Sequence, residues 1–531
     1  MAISRIAILI LFPFLAISQN RYFVSFKDKA NSPFSISNPL QFLSQKSLDR
    51  RARENFVTTL EDLPVNTTYI NQVRATGASV FFSSRWFNGV LVQTSPAIAN
   101  EIADLPFVST IELVAPGAKL IGGRREGQNK FERAKSTSVL QNQLQLQMIG
   151  IDKMQAAGFH GEGVDVAVFD AGFIGVNTLP AFQNLFQESR LKSTFNFVKN
   201  SVDVFSDYDH GTEVLSIMAG NSSAYLGGIY RANYYLYETE DWTTEYRVEE
   251  YNWAFAAERA DSAGVDVINS SLGYNTFDDP SMNYTYQSLD GKTAISSQAA
   301  RRAVLRGILV VNSAGNDGGD SWQYIDVPAD AEGVLACGAV DYSGLRSPFS
   351  SIGPTSDGRI KPDVDAIGSG AVLITSQGAI SAGDGTSFSS PMITCLAAGL
   401  RQSLPNSTSQ EIYYRITKSG SQATHPNELL GYGIPNFTGA LDLFDFTEEY
   451  QLYPNPVTNG EVKIIFKNPT GQQFNVIVYT VAGQPLLNIT DSITWSNNPY
   501  PIDFTSFCFG LYYIKIQTPV STKTQKIVRI N

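Results

Sequence analysis

A serine that precedes an apolar run is the side chain best placed for nucleophilic chemistry in this sequence. Ser387 ends the stretch Gly383-Asp384-Gly385-Thr386-Ser387, and the residues after Pro391 are almost all apolar. Glycine adopts backbone angles that other residues avoid, and proline is accepted in the first turn of a helix. The pattern predicts a tight turn into a buried helix. It places the Ser387 hydroxyl beside helix-terminal N–H groups and the positive end of the helix dipole.

A serine nucleophile needs a base that accepts its proton and a carboxylate that orients the base. Histidine suits the role of base because it titrates near neutral pH, and the sequence has only 3 histidines. His160 and His425 lie in polar stretches and are interpreted as surface residues. His210 opens an apolar helical pattern and Asp170 ends an apolar run. We therefore predict His210 as the base and Asp170 as its carboxylate.

A further polar side chain follows another predicted strand. Asn316 comes directly after Ser313-Ala314-Gly315, where the apolar run Ile308–Asn312 ends. A side-chain amide can donate to the negative oxygen that develops when a hydroxyl attacks a carbonyl carbon. We predict Asn316 as this oxyanion donor.

The segments that must position these side chains alternate between apolar strands and helical patterns from about Gln145 onward. The predicted strands are Val164–Asp170, Tyr234–Tyr237, Val265–Asn269, Ile308–Asn312 and Val334–Val340. This alternation predicts an α/β fold in which a parallel sheet carries helices on both faces. Ligands bind beyond the carboxyl ends of the strands in such sheets. Asp170, Ser271 and Asn316 fall at or just past such ends, so we expect separate turns to meet in one crevice.

Two other units flank the α/β region. Strand and helix patterns between Arg21 and Val114 follow the order of a split βαβ pair, which predicts a small α+β unit. After about Phe446, short strands with turn signals between them predict a small β-sandwich. Neither unit has a motif typical of catalysis.

The composition narrows the function classes. The 531 residues, 43% of them hydrophobic, suffice for several domains with real cores. The net charge of −11 is the opposite of what binding to nucleic acid requires, so no nucleic-acid partner is expected. Residues 1–18 combine a basic start with a short apolar run and predict a signal peptide. No later run is long enough to span a membrane, so we expect an exported mature protein without a transmembrane segment.

The 3 cysteines match no metal-ligand spacing. Cys337 and Cys395 lie in apolar segments and are interpreted as buried thiols, with a bridge between them left open as the alternative.

Taken together in chain order, the motifs resemble those of the subtilisin-like (subtilase) family of serine proteases. The motifs are Asp170-Ala171-Gly172, His210-Gly211-Thr212, Asn269-Ser270-Ser271-Leu272-Gly273, Ala314-Gly315-Asn316 and Gly385-Thr386-Ser387-Phe388-Ser389-Ser390-Pro391. The resemblance covers about residues 145 to 443 and implies a subtilisin-like fold and a secreted serine endopeptidase that works through an acyl-enzyme. It implies that Asp170, His210 and Ser387 form the triad. Asn316 and the Ser387 backbone N–H would form the oxyanion hole.

The resemblance also implies where a polypeptide substrate binds. The segment Ser271–Gly273 would bind the substrate as an added strand. The segment Ser313–Gly315 would line the pocket for the residue before the scissile bond. Asp326 is assigned by the same resemblance to the floor of that pocket, where a carboxylate favours Lys or Arg. The alternative is that Asp326 is a solvated loop residue.

The flanking units acquire roles from resemblance as well. The N-terminal unit resembles the inhibitory, ferredoxin-like propeptide of secreted subtilases, which makes the protein a self-processing zymogen. The tail resembles the sorting domain of the type IX secretion system of Bacteroidetes-type bacteria, which implies passage across the outer membrane by that machinery. Its motifs are Tyr453-Pro454-Asn455-Pro456, Val478–Gly483 and Gly510–Ile516. The expected division is a signal peptide (1–18), propeptide (19–114), processing linker (115–144), catalytic domain (145–446) and sorting domain (447–531).

The implied chemistry requires no cofactor, and a structural calcium ion stays open because no calcium-loop motif is evident. The acidic loops Asp203–Asp209 and Asp278–Asp279 are interpreted as solvated. Ala171 stands where the family usually has Ser or Thr. Two alternative functions follow: a surface-binding protein on an inactive subtilase fold, supported by Ala171 and the β-rich tail, and a serine esterase or peptide ligase with the same triad.

Overall fold

The computed structural model describes residues 19–117, 135–136, 140–442, 449–453, 455–457, 460–466, 471–494 and 500–530. The predicted signal peptide and most of the predicted processing linker lie outside the described residues. In the part of the chain that is described, no helix is both long and apolar enough to cross a membrane.

The N-terminal domain is a four-stranded antiparallel sheet with three helices. Its elements are β1 (Asn20–Phe26), α1 (Gln45–Arg53), α2 (Thr67–Ala75), β2 (Ser79–Ser84), β3 (Gly89–Thr94), α3 (Pro96–Ala103) and β4 (Val108–Ala115). The strand order β2-β3-β1-β4 is that of a ferredoxin-like fold, which confirms the predicted α+β unit. Strand β3 begins at Gly89, directly after a turn at Asn88, whose φ is 46°.

The central domain is built on a seven-stranded sheet with the order β14-β13-β12-β11-β6-β10-β7, and every pairing in it is parallel. The strands of this region are β5 (Lys135–Ser136), β6 (Asp165–Asp170), β7 (Leu191–Asn196), β8 (Asn221–Ser222), β9 (Tyr225–Leu226), β10 (Asn233–Glu238), β11 (Val267–Ser270), β12 (Leu309–Ser313), β13 (Leu335–Val340), β14 (Val364–Ile367), β15 (Ala371–Ile374) and β16 (Ile380–Gly383). Strands β15, β16 and β5 form a separate small sheet, and β8 pairs with β9.

Helices cover both faces of the large sheet. They are α4 (Leu140–Met148), α5 (Ile151–Ala156), α6 (Gln183–Gln187), α7 (His210–Ala219), α8 (Val248–Ala263), α9 (Ile295–Leu305), α10 (Thr386–Ser403), α11 (Ser409–Lys418) and α12 (Phe437–Asp442). On β6, Val166 and Val168 pack in one core with α7 and α10, while Ala167 and Phe169 pack in the other with α8 and α9. The predicted α/β fold with a two-sided parallel sheet is confirmed.

Strands β7 and β14 complete the sheet but are not predicted by the sequence pattern. They lie at its two edges. Strand β7 contains Lys192, Ser193 and Thr194 and is mostly half-buried, and β14 contains Asp365. Both lack the continuous apolar run by which the inner strands were identified.

The predicted boundary at residue 145 falls inside a helix. Helix α4 begins at Leu140, and Gln145 bonds Val372 twice, donating to its carbonyl at 2.9 Å and accepting from its N–H at 2.7 Å. The last residues of the predicted linker therefore belong to a helix that packs on the central domain.

The C-terminal domain is a β-sandwich, as predicted. Its strands are β17 (Tyr450–Tyr453), β18 (Glu461–Phe466), β19 (Gln472–Thr480), β20 (Pro485–Ile493), β21 (Tyr500–Asp503), β22 (Gly510–Gln517) and β23 (Thr522–Arg529). One sheet has the order β17-β18-β21 and the other β20-β19-β22-β23, and side chains from both form one core. Strands β17, β20 and β21 are not predicted by the sequence.

Buried charges join the N-terminal domain to helix α8. The Asp261 carboxylate is fully buried and pairs with the guanidinium groups of Arg50, Arg51 and Arg85, at 2.6 Å in the case of Arg51. Burial opposes its charge, but these arginines outweigh burial and lower the pKa of Asp261. Glu258, one turn earlier, accepts from the backbone N–H of Arg85 at 2.9 Å.

Both central-domain cysteines, Cys337 and Cys395, are free and fully buried. The interpretation as buried thiols is confirmed, and the bridge between them is excluded.

Candidate active site

Asp170 and His210 come from different elements that touch backbone to backbone. Asp170 ends β6, and His210 is the first residue of α7. The Gly211 N–H donates to the Gly172 carbonyl at 3.0 Å, and a Cβ on Gly211 would lie only 2.5 Å from that oxygen. Glycine is therefore required at 211 for the turn and the helix to meet. Their contact places His210 Nδ1 2.8 Å from Asp170 Oδ1.

The Asp170–His210 pair is almost completely removed from solvent, with exposed fractions of 0% and 2%. Asp170 Oδ1 also accepts from the Ala171 N–H at 2.8 Å, whereas Oδ2 has no hydrogen-bond partner among the described residues. Ala171 offers no hydroxyl to Oδ2. Burial raises the pKa of Asp170 by more than the neighbouring His210 lowers it. The hydrogen bond at Nδ1 orients the ring and leaves Nε2 for proton transfer.

Ser387 lies at the start of α10, in the first turn, where backbone N–H groups lack intrahelical partners. Its Oγ donates to the Ser271 carbonyl at 3.3 Å. The next residue, Phe388, has its ring centroid 5.8 Å from that of His210. The helix terminus that carries the serine and the imidazole are therefore neighbours, while the serine hydroxyl itself faces the end of β11.

The expectation that Pro391 lies in the first turn is wrong, because it is the sixth residue of α10. A proline in a helix interior has no N–H to give to the carbonyl four residues earlier, here that of Ser387. The Ser271 hydroxyl donates to this carbonyl instead, at 2.9 Å. Because of the proline, the Ser387 carbonyl can accept the hydrogen bond from Ser271, which links the first turn of α10 to the segment after β11.

The predicted oxyanion donor, Asn316, follows β12 and is held by Thr386. Asn316 Oδ1 accepts from the Thr386 N–H and from the Thr386 hydroxyl, both at 2.9 Å. These bonds fix which end of the amide faces the helix. They leave the NH₂ group of this exposed side chain as its donor end, next to the first turn of α10.

Residues to which the sequence analysis gave no role hold this arrangement together. Asn269 on β11 accepts from the Ser390 hydroxyl at 3.0 Å and the Thr394 hydroxyl at 2.9 Å, and its amide donates to Ser271 Oγ at 3.2 Å. This network joins β11 to α10 in the buried interior. A polar residue inside the apolar run Val265–Asn269 is the signal that identifies it.

The two predicted substrate-binding segments lie side by side. Asn312 donates to the Leu272 carbonyl at 2.9 Å, and Gly273 is exposed although Leu272 is buried. Asp326 donates its backbone N–H to the Ala314 carbonyl at 2.9 Å and is only 7% exposed. Asp326 is therefore no solvated loop residue. It lies against both segments.

The interpretation of the acidic loops as solvated is wrong for Asp278, which is buried and accepts from the Glu245 N–H at 3.1 Å. Among the described residues, one group of three acids has oxygens within 4.8 Å of one another, namely Glu240, Glu245 and Glu249. This proximity does not identify an ion, so structural calcium stays a prediction.

One ionisable residue beside the pair is missed by the sequence analysis. Glu213 lies three residues after His210 on α7 and is 7% exposed. Burial raises the pKa of Glu213 to about 7, with His210 opposing and Asp209 and Asp170 adding to the effect. Its place three residues after a predicted catalytic histidine, on the same helix face, is the signal that identifies it.

Comparisons with known proteins assign each domain. The sequence model described as the peptidase S8 propeptide domain of Bacteroidota matches residues 21–132, and that of the secretion system C-terminal sorting domain matches residues 451–531. The sorting domain indicates export across the outer membrane, to the cell surface or the medium. The boundaries drawn from sequence stay predictions.

Two curated subtilisins are similar to this chain over about half of its length. The chain is 29% identical to subtilisin DY of Bacillus licheniformis, over 54% of this chain and 93% of that protein. It is 29% identical to subtilisin BL of Lederbergia lenta, over 55% of this chain and 97% of that protein. The solved structure of MycP1 from the ESX-1 type VII secretion system is 21% identical, with a TM-score of 0.45 over 57% of this chain and 86% of that one.

The model of the subtilase family matches residues 161–433, which is just over half of the chain. These residues include Asp170, His210, Asn316 and Ser387. The chain therefore belongs to the subtilase family and is a serine endopeptidase.

Proposed function

We propose that Ser387, His210 and Asp170 form the catalytic triad of this endopeptidase. The observation that carries the proposal is the 2.8 Å contact between His210 and Asp170 beside the helix terminus that bears Ser387. A base held by a buried carboxylate and a hydroxyl at a helix N-terminus are the groups that acyl transfer needs. Polypeptide substrates, rather than small esters, fit the exposed backbone at Gly273.

The reaction begins when Ser387 Oγ turns from the Ser271 carbonyl to His210. As Oγ attacks the scissile carbonyl carbon, its proton passes to His210 Nε2, and Asp170 stays ionised and stabilises the imidazolium. The Asn316 amide and the Ser387 N–H donate to the oxyanion. The C–N bond then breaks and the leaving amine takes the proton from Nε2. Water hydrolyses the acyl-enzyme by the same steps, which restores the Ser387 hydroxyl.

We propose that the N-terminal domain is the protein's own inhibitor and is removed by this same active site. Its support is the buried contact of Asp261 with the propeptide arginines, because such a contact holds the domain on the enzyme until the connecting chain is cut. The proposed division is the one predicted from sequence, with cleavage within residues 115–144. The type IX secretion machinery is the proposed partner of the tail.

Intact-mass analysis of the secreted wild type and of Ser387→Ala tests the triad and self-processing together. The wild type is expected to lose the propeptide, and Ser387→Ala to keep it. A variant processed as fast as the wild type would show that another protease makes the cut. A fluorophosphonate probe should label wild-type Ser387. Absence of label on a folded, processed protein would favour the inactive binding protein.

The choice of substrate distinguishes the proposed protease from the remaining alternative, a serine esterase or peptide ligase. A protease of this kind is expected to degrade casein, whereas an esterase or ligase would act on short esters and leave casein intact. Side chains and backbone groups supply every step above, so brief treatment with a chelator is expected to leave hydrolysis active. If a calcium ion stabilises the fold, the chelator lowers the unfolding temperature instead.

A further inference from the structure

A cavity of about 410 Å³ lies at the edge of the large sheet where β13 and β14 begin, opposite the edge that carries Asp170 and Asn316. One wall is a face of α11 whose residues lie three or four positions apart, namely Gln410, Tyr413, Tyr414 and Thr417. A second wall is the segment that leads into β14, with Arg359, Lys361 and Asp363. Gly358 on this wall is exposed, so the cavity opens to solvent. Its volume is in the range of sites that bind small molecules.

Lys418, the last residue of α11, is the one charged side chain on the cavity wall that has no opposite charge beside it among the described residues. The other charged groups on the wall are paired, as Arg359–Asp357 at 2.9 Å, Lys361–Asp363 at 2.6 Å and Glu332–Arg301 at 3.6 Å. Burial lowers the pKa of Lys418 to about 8, and Lys463 of the β-sandwich acts in the same direction. An anion bound in the cavity therefore offsets an electrostatic cost that the protein itself leaves standing.

Two tyrosine rings flank this ammonium group. Lys418 Nζ lies 4.8 Å from the ring centre of Tyr432 and 5.7 Å from that of Tyr414. These cation–π contacts hold the side chain in place. They leave its N–H donors without an acceptor among the described residues. The ammonium group is thus positioned for an acceptor that comes from outside the chain.

Gln410 is a second polar group on the wall without a partner. It is 5% exposed, and its Oε1 has no hydrogen-bond partner among the described residues. Buried amides are nearly always hydrogen-bonded, so an amide left over beside a cavity is available to a ligand. Along its length, α11 therefore offers the cavity an amide, two tyrosine rings and a positive charge.

We propose that this cavity binds the C-terminal residue of a peptide, with the free carboxylate on Lys418 and an aromatic side chain on the tyrosine rings. The carboxylate supplies the acceptor that Lys418 lacks, in a charge-assisted hydrogen bond. The rings attract another aromatic ring at their edges and offset faces. The Gln410 amide meets the peptide N–H.

The enzyme's own activity generates ligands of this kind. Each cut by an endopeptidase leaves a fragment with a new terminal carboxylate. The cavity residues are separate from the predicted triad, so the inference goes beyond the proposed function and does not use Ser387.

Binding of N-acetylphenylalanine tests the inference, because this probe has the carboxylate, the aromatic ring and one peptide N–H. Its amide, N-acetylphenylalanine amide, keeps the ring and the N–H but has no charge, and acetate has the charge alone. The protein is full-length Ser387→Ala, which lacks the predicted nucleophile. Saturation-transfer NMR titrations give the three values of Kd. We expect the Kd of the acid to be about 10-fold or more below those of the amide and of acetate.

Variants of the cavity locate the bound probe. Lys418→Met removes the charge and keeps the length of the side chain, so it should make the Kd of the acid equal to that of the amide. Lys418→Arg keeps the charge and should keep the preference for the acid. Gln410→Leu should weaken binding of both the acid and its amide by about 2- to 10-fold. Lys292→Met is the matched control, because Lys292 is an exposed lysine of the same domain, and it should change none of these values.

Four outcomes would overturn the inference. They are no binding of the acid at millimolar concentration, equal Kd values for the acid and the amide in Ser387→Ala, a preference for the acid that persists in Lys418→Met, and acetate that binds as tightly as N-acetylphenylalanine. The third would place the probe elsewhere, and the fourth would mean a site for bare anions. If Lys418→Met does not fold, the Gln410→Leu titration decides. None of these outcomes bears on the triad, which fluorophosphonate labelling of the wild type tests separately.

Discussion

The amide of Asn316, the proposed oxyanion donor, is held in one orientation by its neighbours. Its oxygen is already engaged by the N–H and hydroxyl of Thr386, so the NH₂ end is fixed before a substrate arrives. Donors that are oriented in advance stabilise the oxyanion without having to reorganise. Thr386 therefore acts as a positioning residue for Asn316.

Replacing Asn316 with alanine is expected to lower kcat by about 10²–10³-fold with little change in KM, a magnitude known for the oxyanion asparagine of subtilisin, a relative of this chain. Steady-state kinetics on one peptide measures both constants. Asn316→Asp, which keeps the Oδ1 bonds to Thr386 but loses the NH₂ group, should be similarly slow. Full activity of Asn316→Asp would contradict the oxyanion role.

The raised pKa of Glu213 predicts how catalysis depends on pH. Its pKa of about 7 means that it ionises near neutrality, and its negative charge then favours the protonated form of His210. Because the base must be neutral to act, Glu213→Gln should lower the pKa of His210. The acid limb of the kcat/KM profile should then move to lower pH. The profile between pH 5 and 9 measures this. The control is Glu188→Gln, which removes the charge of an exposed acid in the same domain. A shift to higher pH, or an equal shift in Glu188→Gln, would be inconsistent with direct coupling.

At the scale of elements, the site depends on which helices and strands touch. Helix α10 lies under β11 and β12 and is joined to them by the Asn269 network and the Thr386–Asn316 bonds. Helix α7 contacts the turn after β6 through Gly211. Helix α8 faces the other way and binds the propeptide through Asp261 and Glu258. The helices that carry the proposed catalytic residues and the helix that contacts the N-terminal domain thus cover opposite faces of the same sheet.

Asp261→Asn is expected to destabilise the zymogen by about 3–5 kcal/mol, because it leaves buried arginines without their carboxylate. Urea unfolding in a Ser387→Ala background, which prevents processing, measures the difference. Glu188, an exposed acid that pairs with the less exposed Arg190, is the control, and Glu188→Gln should cost less than about 1 kcal/mol. If both variants lowered the free energy of unfolding by the same small amount, the buried ion cluster would not be the contact that holds the propeptide.

At the scale of the whole molecule, the N-terminal domain shares part of its core with the central domain, because Phe23, Trp86 and Leu91 pack in the same cluster as α8 and α9. The sandwich has its own core, formed by β17–β23, and touches the catalytic domain through a packed pair, Tyr414 and Ile465. A domain with its own core folds with little help from its neighbours. The sorting function is therefore physically separable from the protease.

Deletion of residues 447–531 is expected to leave a folded protease that stays inside the outer membrane. Cell fractionation with immunoblotting, together with fluorophosphonate labelling, checks location and activity at once. A fluorescent protein that carries the signal peptide and residues 447–531 is the reciprocal control and should be exported. Undiminished secretion of the deletion variant would contradict the sorting role of the tail.

Much of this molecule follows from short stretches of the chain. Strands β6, β11, β12 and β13 are near-continuous apolar runs, and the residues that end or follow the first three are Asp170, Ser271 and Asn316. Local motifs of three to seven residues therefore sufficed to recognise the fold, the family and the side chains of the proposed triad. A parallel sheet brings the carboxyl ends of such strands to one edge whatever the loops between them do.

Other features depend on contacts between residues that lie 42 to 116 positions apart in the chain. The hydroxyl that replaces the missing N–H of Pro391 comes from Ser271, and the amide that joins Asp317 to Asp326 comes from Asn275. The raised pKa of Glu213 likewise comes from burial that no local pattern encodes. The periodicity of a sequence indicates which face of a helix or strand is apolar. It does not indicate which atoms from distant parts of the chain contact that face. Partners and pKa values are therefore fixed only when the chain has packed.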